Sequence, residues 1–242
     1  PLGRSHLFYC LQALRAVNRL SSDDVIVPPA ARREMAWWAA SLTDVHRLAV
    51  PLASRQLFPD TCAAGTLTHY GDASREYDES TGVMAATSGF GCWAVVEQVF
   101  YFLEGRWTPA ECASFSINVL EFATEQMGTF TLAAVAASLD VTITHVHAFT
   151  DNTTAEHVSE RGRTQREALN QLNQRRLHRL VELGVHQRTS RVPSVFNDVA
   201  DLLSRGDVEE ALRFPRDAGL HVVRVEPLPE WRDLSALAPT WA

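Results

Sequence analysis

The sequence has no lysine. All 22 of its basic residues are arginine, set against 29 acidic residues for a formal net charge of −7. An acidic chain has no gross attraction to nucleic acid. The missing lysine itself reads as a GC-rich coding bias. Cysteine is scarce as well: Cys10, Cys62, Cys92 and Cys112 stand far apart, with no CxxC spacing. That spacing argues against zinc and against a disulfide framework, and it reads as free core thiols in a reducing compartment. An intracellular setting, cytoplasmic or nuclear, is expected. No apolar run approaches the ~18 residues of a membrane-spanning helix. The opening PLGRSHLFYCLQALRAV lacks the pattern of a secretory leader, so none is expected. There is no aromatic-x-Asp-Asp polymerase signature. Asp23 and Asp24 sit in SSDDVIV without the aromatic and read as a turn or helix start, so polymerisation by this chain alone is not expected.

What is present suits a folded protein. The 242 residues, 46% of them hydrophobic, are enough for a real core, as one domain with appendages or two small ones. Helical spacing predicts helices over 5–20, 29–42, 117–139, 152–161, 163–184 and 194–206. Strand patterns fall at 66–73, 89–97, 99–105, 141–150 and 220–227, with an extended segment at VHQRTSRVP. The polar stretch 75–88 reads as a long loop or hairpin tip, and Gly128 weakens the middle of the longest helix. Leu169, Leu172, Arg176, Leu180 and Leu183 fall along one side of helix 163–184. The order β-β-β-α-β-α-α-β-α is a mixed α/β pattern. An antiparallel meander followed by a parallel crossover strand puts the strands ending at Asp72 and Asp151 side by side.

Arginine is concentrated: Arg161, Arg163, Arg166, Arg175, Arg176, Arg179, Arg188 and Arg191 all lie between positions 161 and 191. Such a face can track phosphates. On charge alone, a solvated helix face partnered by Glu167 and Glu182 is the better reading.

Four carboxylates carry the chemistry. Asp72 and Asp151 stand at strand ends, Glu121 near the start of the long helix, and Asp201 on the final helix. Each alone has an ordinary explanation. Asp151 could cap the helix after it. Glu121 could serve the helix dipole. Asp201 could pair with Arg205, and Asp72 could start a turn. Together they cannot all stay ionised without a cation. Mg²⁺ or Mn²⁺ prefers such oxygen donors. Two such ions ~4 Å apart can clamp a scissile phosphodiester. His145 and His147, two apart on a strand, and His69 read as structural. His186, the histidine nearest the last helix, reads as a strand residue satisfied elsewhere.

The run GDAS, GFGCWAVV, INVLEFAT, FTDNTTAEHV, FNDVADLLSRG resembles the ribonuclease H domains of retroelement reverse transcriptases, in the DIRS-like and related branch. The resemblance spans about residues 66–206. It implies an α/β fold: a ribonuclease H-like mixed five-stranded sheet flanked by helices, with residues 1–65 as a helical connection-like extension. Residues 207–242 would be a tail with a possible strand. It implies metal-binding roles for Asp72, Glu121, Asp151 and Asp201, with two Mg²⁺ or Mn²⁺ ions. Ser74, Asn152 and Asn197 would position substrate, and Arg175, Arg176 and Arg179 would grip phosphates. The implied activity is cleavage of RNA in an RNA–DNA hybrid, with the polymerase portion of the same polyprotein as a possible partner. The alternatives are a domesticated fold acting as a structural or nucleic-acid-binding scaffold, and a related nuclease or integrase acting on another nucleic acid.

Overall fold

The computed structural model describes residues 29–43, 65–78 and 80–237. The expected helix 5–20, the span 44–64, Cys10 and Cys62 lie outside them. Helix α1 occupies Pro29–Thr43, with the proline at its start. Strand β1 is Thr66–Ser74. A small hairpin of β2 (Tyr77–Asp78) and β3 (Val83–Met84) occupies the expected loop. Then come β4 (Gly89–Val96) and β5 (Val99–Arg106). Between them Glu97 and Gln98 hold φ of 48° and 63°, the left-handed geometry that a two-residue hairpin demands.

Helices α2 (Pro109–Ser114) and α3 (Ile117–Ser138) follow. Next are β6 (His145–Thr150), α4 (Thr153–Arg161), α5 (Glu167–Leu183) and β7 (His186–Arg191). A short turn, Ser194–Phe196, leads into α6 (Asp198–Arg205), which ends at Gly206. The remainder is α7 (Val208–Asp217), β8 (His221–Arg224) and α8 (Pro229–Arg232). Among the described residues no helix is long and apolar enough to cross a membrane.

The sheet is six-stranded in the order β7-β6-β1-β4-β5-β8. It is the expected mixed sheet with one further strand. Strands β1, β4 and β5 form the antiparallel meander, while β6 joins β1 in parallel, and β7 joins β6. The added strand, β8, lies parallel to β5. Beyond it Trp231 is buried and stacks on Phe130 of α3 at 4.2 Å. The segment after Gly206 is therefore built into the core and is more than a tail with one strand.

Helix α3 covers one face of the sheet through Leu120, Ala123 and Met127, against Cys92, Ala94 and Leu103. Gly128 permits the close approach. A Cβ there would stand 2.9 Å from His69 Nδ1 and 3.0 Å from Cys92 Sγ. The backbone cost of a mid-helix glycine is offset by this contact. Helices α6 and α7 cover the opposite face, where Leu203, Ala211 and Leu212 pack on Phe100 and Phe102.

Helix α5 buries Leu169, Leu172, Leu177, Leu180 and Arg176, whereas Leu183 is 44% exposed. The leucine stripe stops one turn before the sequence pattern does, because the helix ends there at Gly184. His69 is fully buried, lies 2.8 Å from Thr129 Oγ1, and burial pushes its pKa down to about 3. His147 lies 2.9 Å from Ser190 Oγ. His186 pairs with His145 where β6 and β7 begin, the end of the sheet away from Asp151.

Candidate metal centre

Asp72, Glu121 and Asp151 each offer an oxygen within 4.8 Å of those of the other two. The fold brings them together by register. Tyr70 of β1 pairs with Phe149 of β6, and Asp72 and Asp151 each follow two residues later along parallel strands. Glu121 descends on them from the second turn of α3, one residue past Leu120, which is fully buried.

The ordinary explanations for these acids fail one by one. Asp72 lies inside β1, opposite Gly91, and starts no turn. Helix α4 is capped by Asn152, whose Oδ1 accepts from the backbone N–H groups of Thr154 and Ala155 at 2.8 and 3.1 Å. Asp151 is therefore free of that duty. Glu121 lies beyond the first turn of α3, which holds no acidic residue.

Each carboxylate is braced on one side. Ser204 Oγ lies 2.8 Å from Asp72 Oδ2. Ser194 Oγ donates to Asp151 Oδ2 at 2.7 Å. The Ala73 N–H donates to Glu121 Oε2 at 3.2 Å. One oxygen of each acid is thus held by the protein, and the second has no protein donor among the described residues. That is a preorganised set of hard oxygen donors, able to hold a hard divalent cation.

The electrostatics agree. Burial pushes the pKa of Asp72 up to about 7, and the charges of Asp151 and Asp201 add to it; the Ser204 hydrogen bond and Arg205 pull the other way. Burial also drives Glu121 well above the ordinary carboxylate range, helped by Asp72 and Asp151 and opposed by the Ala73 N–H. A cation at this point removes the conflict that three converging acids create.

Asp201 stands apart from the three. Its side chain is 45% exposed and is bound by Arg205 Nε at 2.9 Å, the i,i+4 pairing open to it from the sequence. It is nonetheless close enough for its charge to raise Asp72. Helix α6 reaches this position because β4 has glycine opposite it. A Cβ on Gly91 would stand 2.3 Å from Leu203 Cβ and 2.8 Å from the Ala200 carbonyl oxygen.

The expected substrate residues fare differently. Asn197 is buried, and its Nδ2 donates to the Gly71 carbonyl at 3.2 Å, tying α6 to β1 beside Asp72. Asn152 is occupied as a helix cap, and its Nδ2 donates to Asn118 Oδ1 at 3.2 Å. Ser74 is a correction: it is buried, donates toward Thr87 O and Ser204 O, and accepts from the Gly89 N–H at 3.0 Å. Its hydroxyl is used up in joining β1, β4 and α6.

Arg176 is a second correction. It is only 2% exposed, donates to Asn173 Oδ1 and Ser159 O at 3.2 Å each, and lies over the Phe122 ring. A guanidinium so enclosed cannot grip a phosphate. Its charge instead balances Glu125, a fully buried acid whose Oε1 accepts from Gln187 and Thr189 at 2.7 and 2.6 Å. Arg175 donates to the Glu230 carbonyl at 2.9 Å, and Arg179 pairs with Glu182 at 3.0 Å. None of these contacts involves the three clustered carboxylates. Ser194 and Ser204 were not foreseen. Ser204 follows Asp201 by three residues on one helix, and that spacing marks it as facing the same way; nothing in the sequence marks Ser194.

No protein-family model matches the chain, and no curated protein does. Among solved structures it is similar to RNase H1 from the halophilic archaeon Halobacterium salinarum. The identity is 14%, the TM-score 0.40, and the match covers 60% of this chain and 99% of that one. It is also similar to the N-terminal RNase H domain of a Mycobacterium tuberculosis protein, solved fused to maltose-binding protein. There the identity is 15%, the TM-score 0.36, and the coverage 63% and 99%.

Proposed function

We propose that the chain is a metal-dependent endonuclease that cleaves the RNA strand of RNA–DNA hybrids, as part of a retroelement reverse transcriptase. The observation that carries this reading is the convergence of Asp72, Glu121 and Asp151 within 4.8 Å. Bound there, Mg²⁺ or Mn²⁺ would supply the positive charge that phosphodiester hydrolysis needs at its entering and leaving oxygens.

Asp72, Glu121 and Asp151 would hold the first ion. Asp72, whose pKa is raised by the charges of both Asp151 and Asp201, would be the acid that two ions share, with Asp201 serving the second. Ser194, Ser204 and the Ala73 N–H keep the carboxylates in place while substrate enters. The choice of RNA–DNA hybrid and the retroelement setting rest on the order of motifs from GDAS to FNDVADLLSRG. Discrimination of the RNA strand would come from contacts to its 2′-hydroxyls. Residues 1–65 would be the connection-like segment before this domain.

One observation favours a second reading, a catalytically weak scaffold that still binds nucleic acid. Asp201 is held by Arg205, which also reaches Glu76 Oε1 at 3.3 Å. The test is Mg²⁺-dependent cleavage of a labelled hybrid, with Asp151→Asn as control. Cleavage by the native chain that the variant loses supports the nuclease. Hybrid binding without cleavage supports the scaffold. Cleavage of duplex DNA instead points to a related nuclease with another substrate.

A further inference from the structure

Between β7 and α6 the chain does something unusual with apolar surface. Val195 and Phe196 are 69% and 71% exposed, more than any other large hydrophobic among the described residues. They are adjacent, and they sit on the turn whose Ser194 Oγ holds Asp151 Oδ2 at 2.7 Å.

The turn is no loose loop. The Val192 N–H donates to the Thr150 carbonyl at 2.9 Å, and the Phe196 N–H to the Pro193 carbonyl at 2.8 Å. Asn197 Nδ2 fastens the far end to the Gly71 carbonyl at 3.2 Å. Both ends of the turn are therefore fixed to the two strands that carry Asp72 and Asp151. An apolar ring carried into water on so firmly anchored a turn, one residue from Asn197 and two from Ser194, is placed for a partner.

A cation stands at the same lip. Arg191 is exposed, and its Nε donates to the Asp151 carbonyl at 3.3 Å. Its backbone N–H is held by Glu156 Oε1 at 3.1 Å. The two terminal guanidinium nitrogens have no hydrogen-bond partner among the described residues. A nucleic-acid strand offers what the pair lacks: a phosphate for the guanidinium and an apolar sugar–base edge for the ring.

We infer that Arg191 and Phe196 form the substrate-gripping lip of the site. Arg191 contacts a backbone phosphate, and Phe196 lies against the sugar–base edge of a nucleotide beside the scissile position. This rests on the proposed phosphodiester cleavage at the carboxylates. It shifts the phosphate contact from the α5 arginines to β7. Neither residue touches the reacting atoms, so their role is to position the strand.

The test measures binding of a fluorescent RNA–DNA hybrid by anisotropy, with Ca²⁺ in place of Mg²⁺, over a series of salt concentrations. Phe196→Ala weakens binding about tenfold at every salt, while Phe196→Tyr stays within about twofold of the native chain. Arg191→Gln lowers the slope of log K against log salt by about 0.7–0.9. Phe196 is exposed, so thermal melting of Phe196→Ala stays unchanged; Arg191→Gln loses one exposed contact, to the Asp151 carbonyl, and its melting point moves by no more than a few degrees. In Mg²⁺, Phe196→Ala raises KM and leaves kcat near native. Native binding and native salt slope in both variants overturn the inference, as does a native chain that binds no hybrid. Weakened binding in the variants with no cleavage by the native chain upholds the lip and removes the nuclease. Cleavage with unaltered binding does the reverse.

Discussion

Ser204 Oγ lies 2.8 Å from Asp72 Oδ2 and 2.8 Å from the Asp201 carbonyl oxygen. One hydroxyl on α6 thus links a buried strand acid to the helix turn that bears the fourth acid. The contact exists only because α6 lies directly on β4 at Gly91.

Gly91→Ala therefore strikes both fold and site. Its Cβ meets Leu203 Cβ and the Ala200 carbonyl, neither of which can yield without moving α6. A loss of roughly 1–3 kcal/mol is expected, read as a lower urea midpoint with an unchanged slope. The Ser204–Asp72 contact is lost with it, so divalent-ion affinity falls further than stability alone explains. A variant with native stability and native affinity would show that the close approach is immaterial.

The pH dependence follows from Asp72. Its carboxyl titrates at about 7 in the folded, cation-free protein, against 3.8 ordinarily. The folded state thus holds the proton more tightly than the unfolded chain. The stability this lends is full below the ordinary value and is lost as pH rises through about 7. Melting of the cation-free protein should fall across that window, and Mn²⁺ should restore it at the upper end. Asp72→Asn should reduce the fall to the part that the raised Glu121 carboxyl contributes, raise the cation-free melting point at pH 8 by about 2–5 °C, and abolish the Mn²⁺ response. A melting point indifferent to both pH and Mn²⁺ contradicts the assignment.

Arg176 separates structure from substrate binding. Arg176→Ala leaves Glu125 buried without its cation, at a cost of about 3–5 kcal/mol. Arg176→Met with Glu125→Gln should recover much of it, because the double change removes both charges together. Hybrid affinity, measured where each variant is folded, should match the native chain. A selective loss of affinity would return Arg176 to the phosphate-binding set.

Arg205 holds Asp201 and lowers Asp72. Its removal frees one carboxylate and withdraws a positive charge from another. Arg205→Ala should tighten Mn²⁺ binding by about two- to fivefold in calorimetry. Weaker binding would mean that Arg205 orders the site and does not compete for it.

The sequence pattern was legible where periodicity was long and undisturbed. The 22 residues of α3 form one long, mostly apolar stretch, and the ladder shared by β1 and β6 places Asp72 beside Asp151 as the crossover topology requires. Elsewhere tertiary context decided. The β-branched run from Val141 looks like strand, yet β6 begins only at His145, where its partner β1 begins at Thr66. Helix α7 hides behind Pro215 inside it, α2 is a capped helix of six residues between sheet and α3, and α8 is shorter still. Among the arginines, charge was the misleading signal. Arg176 shares a face with Leu169, Leu172 and Leu180, and that spacing, not its charge, fixes where it lies. The three acids could be placed in one cluster from topology, and the i,i+4 spacing offered Asp201 the Arg205 pairing it makes; that this pairing wins over joining the other three depends on side-chain geometry.

Anomalous scattering from crystals soaked in Mn²⁺ tests the central claim most directly. A peak bounded by oxygens of Asp72, Glu121 and Asp151 at about 2.0–2.3 Å, absent from Asp72→Asn crystals, is the result expected. Manganese bound elsewhere, or none at the three carboxylates at millimolar concentration, would contradict it.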